Sequence, residues 1–209
     1  MTHRLSITTP PAAEPVTLQE AKLFLKIDHD AEDALITSVI AAARESAEKY
    51  LQLALITRKA SLFMDAWPEH DATPWWDGVR EGVAAKSIQE ITLPLPPLQN
   101  IDAIRIHNHN DFIVMDENQY FCDTADVPGR IVFKNDTTLP EPARIANGVE
   151  IAFTAGYGDN PENVPASIRQ GILKLIAHLY TYRGDNPDAA ITESGAHVLF
   201  YPYRRMRLT

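Results

Sequence analysis

Phe153-Thr154-Ala155-Gly156-Tyr157-Gly158, followed by Val164-Pro165 and an apolar stretch ending His178-Leu179-Tyr180, decides the architecture. A strand predicted over 149–153 runs into two glycines that free the backbone to turn, and a proline then opens a helix. Ile168, Ile172, Leu175, Leu179 and Tyr182 recur at helical spacing as the seam of that helix, and Gly184 is placed to end it. The stretch holds no nucleophile, metal cluster or phosphate cradle. No Gly-Lys-Ser/Thr follows the glycines, and the helix starts only after acidic Asp159 and Glu162. Gly156, Tyr157, Gly158 and Pro165 therefore read as a structural turn.

The other end of the chain is also helical. Pro10, Pro11 and Pro15 disfavour helix, so residues 1–16 read as a flexible arm. Thr17-Leu18-Gln19-Glu20 then has capping-box spacing, and Leu18, Ala21 and Leu25 share one face of a short helix ending near Leu25. The acids of Asp28-His29-Asp30-Ala31-Glu32-Asp33 favour a second helix start. They do not make a calcium loop, because Asp33 and Val39 stand where that loop needs glycine and an acid. Ile36, Ile40, Ala43, Ala47 and Tyr50, widened by Leu35 and Val39, predict a helix of about six turns to roughly Leu53.

Between these ends the period changes to alternation. Strands are predicted over 60–64, 88–93, 101–106, 112–115, 120–122 and 130–133, with Pro94-Leu95-Pro96-Pro97-Leu98 as a stiff link and 107–111 as a hairpin turn. Residues 67–86 form a long polar connection in which Trp75-Trp76 anchors to the core or lies at an interface. Beyond the last long helix, 185–196 read as loop and 197–201 as a strand or a docking segment. The pattern gives an α+β fold. Two N-terminal helices (17–54) and a long C-terminal helix with its loop (156–196) form a helical core, a β-rich region (55–155) is inserted as an antiparallel sheet or small barrel, and 197–209 is a C-terminal docking segment.

At 209 residues and 45% apolar, the chain buries a core without staples. The lone Cys122 forms no internal disulfide, which fits a reducing cytosol, and reads as a buried or half-buried structural thiol. No apolar run approaches the ~20 residues of a membrane span, and the polar, proline-rich N-terminus is unlike a signal peptide. A net charge of −9 argues against binding nucleic acid with the whole surface. Arg204, Arg205 and Arg207 make a basic end that docks on an acidic partner or is simply solvated.

One segment imitates a catalytic site. His107-Asn108-His109-Asn110-Asp111 resembles the H-x-H-x-D part of the metallo-β-lactamase zinc motif, and two imidazoles with a carboxylate suit zinc. Phe112 stands where that motif has another histidine, and Asn and Asp between alternating runs already explain a turn. A zinc-dependent hydrolase built on His107, His109 and Asp111 is retained as an alternative.

Taken in order, a set of short motifs carries a resemblance. They are Pro15-Val16-Thr17-Leu18-x-Glu20-Ala21-Lys22, Asp28-His29-Asp30-x-Glu32-Asp33-x-Leu35-Ile36, Ala41-Ala42-Ala43-Arg44, Leu93-Pro94-Leu95-Pro96-Pro97-Leu98, Phe153 to Gly158, Val164-Pro165, Ala177-His178-Leu179-Tyr180 and Tyr203-Arg204. Together, over about 15–205, they resemble the head–tail connector (adaptor) proteins of tailed bacteriophages and prophages, and the similar adaptors of gene transfer agents. The connection over 67–86 departs from the family in its length.

The resemblance implies a structural protein rather than an enzyme, with no cofactor and no membrane. It implies a ring under the portal, typically twelvefold, that extends the channel through which DNA passes and receives the tail or a stopper protein. The place implied is the virion neck, with assembly in the bacterial host cytoplasm. Connector C-termini contact the portal, which maps here to 197–208 and points to Phe200, Tyr201, Tyr203, Arg204, Arg205 and Arg207. Another neck component, a stopper or tail-completion protein, is the nearest alternative.

Overall fold

In the computed structural model, residues 3–68, 90–109, 111–134, 137–183 and 189–204 are described. The chain divides into two units, Met1–Thr9 with Lys59–Ala155, and Pro10–Arg58 with Gly156–Thr209.

The first unit is made of strands. Its five-stranded sheet has the order β1-β2-β8-β4-β5, formed by β1 (Arg4–Thr9), β2 (Arg58–Met64), β4 (Leu98–His107), β5 (Phe112–Val114) and β8 (Val149–Ala155). β3 (Glu90–Thr92), β6 (Tyr120–Asp123) and β7 (Arg130–Phe133) form a second sheet in the order β3-β7-β6. β8 shows why alternation predicts strand here: Val149, Ile151, Phe153 and Ala155 are buried and the residues between them are not. β4 pairs with it antiparallel, placing Ile104 opposite Ile151 and Ile106 opposite Val149 at the centre of the apolar face. Trp67 packs edge-on against Phe133 at 5.5 Å, and its indole N–H donates to the Pro140 carbonyl at 2.7 Å. Trp75 and Trp76 lie outside the described residues.

Arg4–Thr9 corrects the reading of 1–16 as a flexible arm. It pairs antiparallel with β2, with Leu5 opposite Leu62 and Ile7 opposite Ala60. The prolines stand after the strand and end it. Its residues are exposed throughout, so the usual contrast between a buried and a solvated face is absent.

The second unit is helical. α1 (Leu18–Leu25) begins with the expected capping box: the Glu20 amide donates to Thr17 Oγ1 at 3.2 Å and the Thr17 amide to Glu20 Oε2 at 2.9 Å. α2 (Asp33–Leu51) buries Ile36, Ile40, Ala43, Ala47 and Leu51, and Gln52 in a left-handed conformation (φ 56°) stops it just short of Leu53. α3 (Ala166–Thr181) buries Ile168, Ile172, Leu175 and Ile176 against that stripe. Its seam ends at Ile176, whereas Leu179 is half-buried and Tyr182 exposed. Within 185–196, read as loop, α4 (Ala190–Glu193) forms and α5 (Ala196–Phe200) begins; Gly184 lies outside the described residues.

A buried ion network holds this unit. The Glu48 carboxylate accepts from Arg44 Nη1 at 2.9 Å, from the Leu55 amide at 3.0 Å and from Arg58, and Arg44 Nε also donates to Glu14 at 2.8 Å. Arg169 on α3 donates to the Pro15 carbonyl at 3.0 Å and to Glu20, tying the start of α1 to the later helix.

Candidate interface surfaces

The C-terminal segment is positioned from α3. Gly171 has no Cβ, and an ideal one would lie 2.4 Å from Phe200 Cε1, so the ring lies directly on the helix. Phe200 is fully buried, with the Tyr50 ring 6.1 Å away. This corrects its assignment as a docking residue: it is the core plug that seats α5. A 3-10 turn over Tyr201–Tyr203 follows, closed by the Arg204 amide donating to the Tyr201 carbonyl at 3.2 Å, and the same amide reaches the Phe200 carbonyl at 3.1 Å. The Arg204 guanidinium lies over the Tyr50 ring at 4.8 Å, a cation–π contact. Tyr203 packs partly on the core. Tyr201 (64% exposed) and Val198 (63%) point outward, so sequence reasoning named Tyr201 but passed over Val198. Arg205 and Arg207 lie outside the described residues.

The glycine turn is built next to this segment. The Tyr157 amide donates to the Leu55 carbonyl at 3.3 Å and the Thr57 amide to the Gly158 carbonyl at 3.0 Å. Gly156 holds φ 130°, and a Cβ there would come within 2.7 Å of the Ile56 carbonyl. Burial, with the neighbouring Tyr203 adding to it, pushes the Tyr157 phenol above its ordinary range. Pro165 precedes α3, its carbonyl accepting from Ile168 at 2.9 Å and Arg169 at 3.1 Å.

The H-x-H-x-D segment serves a turn. The Asn108 amide donates to the Asp111 carbonyl at 2.8 Å, and Asp111 Oδ1 accepts from the Phe112 amide at 2.7 Å. His107 Nε2 lies 3.4 Å from Glu150 and its ring 5.8 Å from Phe112. Among the described residues no group of three His, Cys, Asp or Glu side chains is arranged to hold a metal ion, so His107, His109 and Asp111 do not form the zinc site of the alternative reading. Burial pushes the Cys122 thiol up, away from nucleophilic character. Asp30 and Asp33 share the Lys22 ammonium at 2.5 and 2.8 Å, and Glu32 receives Tyr180 and Arg183. The acidic run before α2 thus ties helices together. No described helix is long and apolar enough to cross a membrane.

Residues 15–114 match the model of the phage gp6-like head-tail connector protein family. In fold, the whole chain is similar to solved chains of gene transfer agent particles. One, from the neck of an empty particle computed with C6 symmetry, is 23% identical with a TM-score of 0.72 over 99% of this chain and 97% of that one. A second, from the virion of a native particle, is 24% identical with a TM-score of 0.74 over 98% and 97%. A third, from the neck of a native particle computed with C12 symmetry, is 24% identical with a TM-score of 0.68 over 100% and 98%. No curated protein matches the chain in sequence.

Proposed function

Starting from the match of residues 15–114 to head–tail connectors, we propose that this chain is a structural connector in the neck of a tailed phage, prophage or gene transfer agent particle. That match carries the reading, and the whole-chain likeness to chains of gene transfer agent particles supports it. Copies of the chain form a ring below the portal, twelvefold when assembled, that extends the DNA channel and receives the tail or a stopper. A predominantly acidic chain suits a conduit, because a basic lining would hold phosphates in transit. The chain acts by binding rather than by catalysis, and assembly takes place in the bacterial cytoplasm before the neck is complete.

The portal contact is assigned to the exposed part of the C-terminal segment, Val198 and Tyr201, with Tyr203 and Arg204 supporting them and Arg205 and Arg207 extending it. An exposed aromatic beside an aliphatic side chain and arginines is the composition of an interface anchor. Removing 197–209 outright is a poor test, since it also removes the buried Phe200. The cleaner variant is Val198→Asp with Tyr201→Asp, both at exposed positions. In a particle-producing strain lacking the gene, this variant yields a folded protein, with heads and tails unjoined. Normal joining with the variant refutes the portal assignment, and normal joining without any copy of the protein refutes the connector function.

A further inference from the structure

The five-stranded sheet ends in two edges that, among the described residues, pair with no further strand: β1 and β5. On β5 the apolar residues of both faces are open, with Phe112 47%, Ile113 48% and Val114 54% exposed. An uncovered Phe-Ile-Val edge with no charge inside it is a template for pairing with another chain. β1 offers a similar strip, with Leu5 and Ile7 exposed and all six of its residues open.

The two edges differ in charge. β5 is bracketed by Asp111 on one side and by Asp116 and Glu117 on the other, whereas β1 begins at Arg4, just after His3, and contains no acid. They also run in the same sense. β1–β2, β8–β4 and β4–β5 are antiparallel. β2 and β8 oppose one another too, since Thr57 bonds to Gly158 and Ser61 to Glu150. Four reversals leave β5 pointing the way β1 points. A cyclic operator of high order, which nearly preserves sense, lays β5 of one copy parallel alongside β1 of the next, Asp111 toward Arg4. A twofold operator instead brings β5 against another β5, antiparallel, with Asp111 facing the Asp116 and Glu117 side of its twin.

We propose that β5 of one copy docks on β1 of a second copy, so that the sheet continues from subunit to subunit through a head-to-tail interface. Such an interface closes into a ring when the rotation allows. The inference rests on the connector reading for its biological setting, but the contact itself belongs to the isolated chain.

The test is site-directed crosslinking in the full chain with its single cysteine replaced by Cys122→Ala. Ser6→Cys and Ile113→Cys are introduced singly and together, and a short bis-maleimide is added over a range of concentrations. The double variant gives a ladder of dimer, trimer and higher species, and each single variant stays monomeric. Arg4→Glu in the double variant weakens the ladder at low salt. A dimer from Ile113→Cys alone, or no ladder from the double variant, overturns the proposal. In the unmodified protein, hydrogen exchange at the amides of 4–9 and 112–114 slows as concentration rises, and unchanged exchange at both edges overturns it independently. If the ladder forms but heads and tails join without the protein, the connector function fails and the edge contact stands. If the ladder fails while joining still requires the protein, the reverse holds.

Discussion

Replacing Gly171 by alanine sets two effects of opposite sign against each other. In a helix interior alanine is favoured over glycine by about 0.8–1.0 kcal/mol, so a solvent-facing Gly171 would gain stability. Here the new methyl would stand 2.4 Å from Phe200 Cε1 and 3.0 Å from both Cδ1 and Cζ, against an ordinary carbon–carbon separation of about 3.5–4.0 Å. The ring is rigid and fully buried, so it must retreat by more than about 1 Å and carry α5 with it. Overpacking of this kind costs about 1–3 kcal/mol. The expected net effect of Gly171→Ala is a loss of about 0–2 kcal/mol. In a Phe200→Ala background, itself about 3–5 kcal/mol less stable, the obstacle is gone and the same change becomes stabilising by about 1 kcal/mol. Urea unfolding followed by far-ultraviolet circular dichroism reads the cycle, since the described α-helices lie in the second unit. A gain of about 1 kcal/mol from Gly171→Ala in the unmodified chain refutes the placement of Phe200.

Three further expectations concern the same unit. Glu48→Ala leaves the Arg44 and Arg58 guanidinium groups buried without their shared carboxylate and destabilises by about 3–5 kcal/mol in the same urea assay. Gly156→Ala forces a side chain into a φ of 130° against the Ile56 carbonyl and lowers the thermal midpoint, at a cost of about 1–3 kcal/mol. Burial works to raise the Glu20 carboxyl, but hydrogen bonds from Thr17 and the charge and hydrogen bond of Arg169 bring it below its ordinary value; the Lys22 ammonium does the same for Asp30. Carboxyls depressed in the folded state contribute stability that is fully present above their unfolded values and is lost as pH falls through the folded ones. Acid titration below about pH 5 therefore weakens the unit progressively, and Glu20→Gln flattens that dependence.

What the sequence revealed follows from how local each cause is. The capping box of Thr17 and Glu20 lies within one turn, and the stripe of α2 repeats on one helix, so both were readable. β8 was readable because one face is buried and the other is not. β1 is not legible in the pattern because both its faces are open and the prolines after it argue against regular structure. Phe200 was mistaken for a docking residue because its true partner, Gly171, is marked only by an absent side chain on a distant helix. The Glu48 network and the Arg169 tie to Pro15 join residues far apart in the chain, and a linear pattern does not encode such meetings.

The apolar stripe of α2 is covered by α3, yet residues 52–165 lie between the two helices. At about 5–20 residues per second, a ribosome leaves that stripe without its cover for on the order of ten seconds. During this interval Ile36, Ile40 and Leu51 are substrate for chaperones and proteases rather than core. Ribosome-bound chains halted near residue 150 are expected to be cleaved within 33–51, and full-length chains to resist; equal resistance in both would show that α2 finds other cover. A prematurely terminated copy is then cleared before it can compete for a place in an assembly, so the split of the helical unit between the two ends of the chain acts as a check on completeness.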